Sequence, residues 1–150
     1  MQNISLSEFY IIGISRRTNN QKASEDLQQL WGKFIGENIM NKIPDKISSD
    51  IYAIYTDYAS DHTGDYTTIL GCRVNSLEVI PDDMIGRTIP PDTYQLFTAK
   101  GTIPASVVKT WEIIWSEPNL NRSYSFDFEV YGEKSQHPES PEVDIYIAVK

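Results

Sequence analysis

The order of periodic segments constrains this chain more than any single motif does: a strand, an amphipathic helix and two strands occur in that order twice. "EFYIIGISR" (8–16) is an apolar, β-branched run of strand length. "SEDLQQLWGKFIGENIM" (24–40) then spaces Leu27, Leu30, Trp31, Phe34, Ile35 and Ile39 as a helix face, with Ser24 as N-cap and Glu25 and Asp26 in the first turn. Strands follow at 51–58 and 66–74, joined by the hairpin loop "ASDHTGD". The second half repeats the order. A strand at 93–101 precedes a helix across 102–118, with Pro104 in its first turn and Val107, Val108, Trp111, Ile114 and Trp115 on one stripe. Strands at 123–131 and 142–150 complete it, across the polar loop "GEKSQHPESP". The halves, about 5–76 and 90–150, share little residue identity, so the repeat is architectural, and it predicts one α+β domain over 1–150 with a site between its halves. The Pro- and Asp-rich stretch "EVIPDDMIGRTIPPD" (78–92) reads as the linker between them.

Composition narrows the function classes. A content of 40 % apolar and 23 % charged residues is that of a globular domain able to bury its own core. A net charge of -8 opposes the basic footprint that phosphate backbones require, which argues against nucleic acid, and an acidic field favours cations. One cysteine, Cys72, and two histidines, His62 and His137, cannot assemble a soft-ligand metal centre, so neither metal nor cofactor is expected. The N-terminal run "FYIIGI" lacks the basic lead and cleavage site of a secretory signal, and no run reaches the ~20 apolar residues of a membrane helix. A soluble, cytoplasmic protein is the expectation.

The strand "SYSFDFEVYG" (123–132) poses the functional question. Phe126, Phe128 and Val130 share one face; Asp127, Glu129 and Tyr131 share the other. From spacing alone, Glu129 reads either as a wet carboxylate outside a sheet or as the polar floor of a pocket. Tyr131 lies on its face, and Tyr146 sits on the terminal strand where a hairpin partner would run. Of the first-half tyrosines, Tyr52 and Tyr58 share a face and Tyr55 takes the other, where Ile51 and Ala53 keep the surroundings apolar. Tyr55 is therefore the candidate to oppose Glu129. Trp111 and Trp115 belong to a buried helical stripe and can wall a cleft from the edge of the core.

Taken together, "YQLFTAKGTIPASVVKTWEIIW", "SYSFDFEVYGE" and "VDIYIAVK" resemble the GyrI-like small-molecule-binding domain, also found as the effector-binding part of AraC-type and MerR-type regulators. The resemblance covers nearly the whole chain. It implies a curved antiparallel sheet wrapped around a central ligand cleft, with the helices packed against the sheet. It also implies that Glu129 of the "FE-x-Y" segment points into that cleft and pairs with cationic ligands; Tyr131, Tyr146, Trp111, Trp115 and Tyr55 are the aromatic candidates, from their own faces and spacing, to line it. Regulators of this type carry a helix-turn-helix ahead of the domain; here the domain begins within the first ten residues, so a stand-alone form is expected, like single-domain members found on mobile (integron) gene cassettes. The implied function is capture of cationic, aromatic or amphipathic small molecules. Two other readings stay open: hydrolysis of small electrophiles with the same glutamate as acid or base, and a gyrase-inhibitor-like module with a protein partner.

Other motifs fail on inspection. "DYASDHTGDYTT" (57–68) lacks the glycine and terminal acid of a calcium loop, and no G-x-S-x-G, H-E-x-x-H or phosphate-cradling loop is present. Cys72 reads as a small core residue, and Arg16 and Arg17 as solvated strand-end charges.

Overall fold

The computed structural model describes residues 3–150 as eight strands and three helices. The strands are β1 (Asn3–Leu6), β2 (Phe9–Thr18), β3 (Ile51–Thr56), β4 (Tyr66–Val74), β5 (Ile85–Ile89), β6 (Asp92–Lys100), β7 (Phe126–Tyr131) and β8 (Glu142–Ala148). The helices are α1 (Ala23–Gly36), α2 (Ile39–Lys42) and α3 (Ala105–Ser116), with a 3-10 turn at Glu133–Gln136. All strands join one antiparallel sheet in the order β1-β6-β8-β7-β3-β4-β2-β5. Exchanging the halves (β1 with β5, β2 with β6, β3 with β7, β4 with β8) reproduces that order reversed. The duplication is therefore a pseudo-two-fold with its axis between β3 and β7.

Two strands escape the sequence pattern. The stretch read as a linker contains β5, which pairs with β2, and the first residues form β1, which pairs with β6. Each short strand closes the edge of the other half, so the halves are interlocked rather than merely adjacent. Neither has an apolar run of its own: β1 reads NISL and β5 reads IGRTI, and tertiary pairing makes them strands. The first helix also ends sooner than its spacing predicts. Asn38 adopts a left-handed conformation (φ 55°) and splits the segment, and Ile35 is 68 % exposed rather than on the buried stripe of Leu30 and Phe34. No side chain caps α1; Ser24 lies inside the helix, and Pro104 sits at the cap position of α3.

Alternation sorts the residues onto two buried faces. On one, α1 packs over Ile12, Ile14, Ala53, Leu70 and Cys72, while α3 packs over Ala99, Val143, Ile145 and Ile147. The other is free of helices and gathers Phe9, Ile11, Ile54, Ile69, Ile89, Tyr94 and Phe128 from strands of both halves. Curvature lets the sheet bury this face by itself. Phe9 on β2 and Phe128 on β7 stand three strand spacings apart, roughly 14 Å in a flat sheet, yet their rings are 5.6 Å apart. Gly13 and Gly71 are cross-strand partners on this face, and a Cβ on either would overlap the opposing backbone. Their bare backbones allow β2 and β4 to coil inward there.

Candidate functional site

β7 runs beside the pseudo-dyad, and its register puts Glu129 opposite Ala53 on β3 and Ile145 on β8. Neither of these directly paired neighbours is polar, and the small Ala53 leaves space above the carboxylate. The two helices fill that space from either side. Trp111 of α3 packs against both helix-side cores, as does Tyr131, and Trp31 of α1 meets the Tyr131 ring edge-on at 5.0 Å. Glu129 therefore lies 2 % exposed beneath the seam between α1 and α3, a groove that the Trp111 and Tyr131 rings close over.

Three neutral donors converge on it. The Tyr131 hydroxyl donates to Oε1 at 2.7 Å; Trp111 Nε1–H donates to Oε2 at 2.6 Å and the Tyr55 hydroxyl to the same oxygen at 3.1 Å. Burial pushes the Glu129 carboxyl above the usual carboxylate range, while these hydrogen bonds oppose the shift. Burial first, and the neighbouring carboxylate second, push the Tyr55 and Tyr131 phenols upward, so both keep their protons and serve as donors. Among the described residues no lysine, arginine or histidine pairs with Glu129. The site is an acid held by neutral dipoles and short of a cation.

The second carboxylate on this face has its own cation. Asp127 is fully buried and accepts from Arg122 Nη2 (2.7 Å), the Tyr58 hydroxyl (2.5 Å) and the Ala148 N–H (2.8 Å). The Arg122 guanidinium lies 4.4 Å from the Tyr124 ring centre and 5.9 Å from those of Tyr58 and Trp111. A cation thus already rests among aromatic faces beside Trp111, in the manner a bound organic cation would. Neutralising Asp127 internally leaves Glu129 as the uncompensated charge of the groove.

Four of the expected site residues come together: Glu129, Tyr131, Trp111 and Tyr55. Trp115 lies at the groove's outer end, 39 % exposed rather than buried, stacked on His62 at 6.1 Å and near Trp111. Tyr146 does not join them. Its register partner is Phe128, so it stands on the helix-free face and stacks on that ring at 4.8 Å. A hairpin partner was expected, and β8 is that partner, but the pairing sets Tyr146 one residue out of phase with Glu129. Trp31, Tyr58, Tyr66, Arg122, Tyr124 and Asp127 also surround the two acids, and none of them was a site candidate from the sequence. The shared face of Asp127 and Glu129 was the available signal for the second acid. Arg16 and Arg17 are exposed, as expected; Arg16 also pairs with Asp26 of α1 at 2.8 Å, and Arg17 donates to the Asp57 carbonyl. Cys72 is buried, as expected.

Comparison with known proteins decides the family. The model of Cass2, the integron-associated effector binding protein, matches residues 4–149. The chain belongs to this family. An integron cassette protein from the mobile metagenome of Vibrio cholerae is 27 % identical, with a TM-score of 0.77 over 99 % of this chain and 95 % of its own. The structure of SAV2435 bound to tetraphenylphosphonium has a TM-score of 0.84 at 17 % identity, over 99 % of this chain and 93 % of that one, a likeness of fold. YobU of Bacillus subtilis, which bears a transcriptional-regulator name, is 29 % identical over 92 % of this chain and 90 % of its own length. The transcriptional regulator BrlR of Pseudomonas aeruginosa is 28 % identical over 83 % of this chain, which spans 47 % of that protein. The expected curved antiparallel sheet with packed helices holds for this Cass2-family chain. No helix among its described residues is long and apolar enough to cross a membrane.

Proposed function

We propose that the groove between α1 and α3 binds a cationic aromatic small molecule, with Glu129 as the charge partner and Tyr55, Tyr131 and Trp111 as its walls. The observation that carries this reading is a fully enclosed carboxylate held by three neutral donors while the neighbouring acid, Asp127, has its own arginine. An unpaired buried charge is costly, and an incoming cation removes the cost. At about 4 Å and an effective dielectric near 20, the attraction is worth about 4 kcal/mol before desolvation, enough to prefer a cation to a neutral molecule of the same shape. The aromatic walls add stacking area and π faces. The family's effector-binding description and the tetraphenylphosphonium bound to SAV2435 support the same ligand class.

Trp111 is the moving part. Its Nε1 occupies one side of Oε2, and its ring roofs the acid between the helices. A ligand that reaches Glu129 displaces this indole, and Trp115 and His62 beyond it move with the rim. The readout is then a shift of α3 relative to the sheet, which suits a sensor, and the regulator names of YobU and BrlR support that role.

Calorimetry with tetraphenylphosphonium and neutral triphenylphosphine oxide tests the assignment. Glu129→Gln should weaken the cation tenfold or more and the neutral compound less than threefold. Equal losses for both compounds would overturn the role of Glu129.

A further inference from the structure

A cavity lies on the side of the sheet away from Glu129. It measures about 710 Å³ and opens from the helix-free face at the end of the sheet where β3 begins and β7 ends. That volume is in the range of sites for drug-sized ligands.

Strand register lays out its lining in rows. Phe128 and Tyr146 form one row across β7 and β8, followed by Tyr52, Val130 and Asp144 across β3, β7 and β8. The same pairing, continued one step past the strand ends, sets Arg73, Asp50, Gly132 and Glu142 in a third row. Phe9 curls over these rows, its ring 5.9 Å from Tyr52 and 5.6 Å from Phe128. The cavity is aromatic at its base and charged at its mouth.

The two ends of the charged row carry opposite signs. Arg73 sits over the Phe9 ring at 5.0 Å, and its buried Nε has no hydrogen-bond partner. Asp50 does not pair with it, since the carboxylate turns into the space left by the missing side chain of Gly132. At the other end Lys134 pairs with Asp144 at 2.8 Å, and among the described residues Glu133 and Glu142 form no salt bridge. Two strands, β3 and β7, stand between the strands that lead to the two ends. A simple cation would leave the arginine unanswered; a simple anion would meet the acids.

We infer that this cavity is a second binding site, separate from the Glu129 groove, for an aromatic zwitterion of short-peptide size whose carboxylate meets Arg73 and whose ammonium meets Glu142 and Glu133. The aromatic side chains of such a ligand stack on Phe9, Tyr52 and Tyr146. The planar fork of arginine suits a carboxylate, and the acidic end excludes ligands that lack a positive group.

The tripeptide Phe-Ala-Phe, its N-acetyl form and its C-terminal amide are titrated into the full chain by calorimetry. The parent peptide should bind at least tenfold tighter than either blocked form. Arg73→Gln should abolish the difference between acid and amide, Glu142→Gln should reduce the difference between free and acetylated amine, and Glu129→Gln should change neither. Circular dichroism of the variants confirms folding, and the blocked peptides test the wild-type chain directly. Equal binding of all three peptides, no binding of the parent at millimolar concentration, or loss of binding on Glu129→Gln would each overturn the second site.

Discussion

At the scale of the residue, Glu129 sets a conflict between stability and binding. Its carboxyl is raised by burial, so the folded state holds the proton more tightly than the unfolded chain does. Folding is then least stable above the raised value, and stability rises as pH falls from that value toward the ordinary glutamate range. Glu129→Gln keeps the shape and removes the charge, although a glutamine also presents an N–H₂ to the surrounding donors. At neutral pH the substitution should raise the urea midpoint, and the gap from wild type should close as pH falls toward the ordinary range. A gap that is constant or widens on acidification would show that burial does not strain this acid. Cation affinity has the opposite dependence: it should fall as pH drops below the raised value, because only the ionised form attracts the ligand. Asp127 differs from Glu129 in one respect that decides its role, since Arg122 is already beside it. Breaking a buried pair of that kind costs about 3–5 kcal/mol, which marks Asp127 as a structural acid.

At the scale of the element, the faces of β7 were readable and its depth in the molecule was not. Alternation correctly separated Phe126, Phe128 and Val130 from Asp127, Glu129 and Tyr131. It could not show that both faces are buried, because the chain must first curl before one face becomes its own core. The same limitation explains Tyr146: period two assigns faces within a strand, while the phase between strands comes from the turn that joins them. β1 and β5 were invisible for another reason, since each becomes a strand only by completing the edge of the opposite half. The curl itself was written in Gly13 and Gly71, a signal that becomes legible once their pairing is known. Gly71→Ala places a methyl group against the Ile12 carbonyl carbon and oxygen and should cost more than about 3 kcal/mol in urea unfolding. Gly32→Ala, in open space on α1, should be neutral or stabilising. Similar behaviour of the two variants would contradict the tight coil.

At the scale of the molecule, duplication gives the site its place. Two strand-helix-strand-strand halves related by a pseudo-dyad here bring β3 and β7 together at the centre, with α1 and α3 packed on one face above them. The repeated order of the sequence segments pointed to a site between the halves, whereas Glu129 as its centre came from the family resemblance, Tyr131 from the strand face it shares with Glu129, and Tyr55 from the pseudo-symmetry. What the halves do not share is the chemistry at the axis: Ala53 stands opposite Glu129, so one carboxylate serves the whole groove. The -8 net charge adds a field that attracts cations from solution but does not select among them. In the proposed reading, selection rests on the enclosed acid. The most direct test is the carboxyl carbon resonance of Glu129, followed through a pH titration with and without saturating tetraphenylphosphonium. The free protein should titrate above the ordinary glutamate range, and the complex should titrate lower by a unit or more, as expected when a cation meets the carboxylate. An identical titration in both states would contradict the pairing of Glu129 with a cationic ligand.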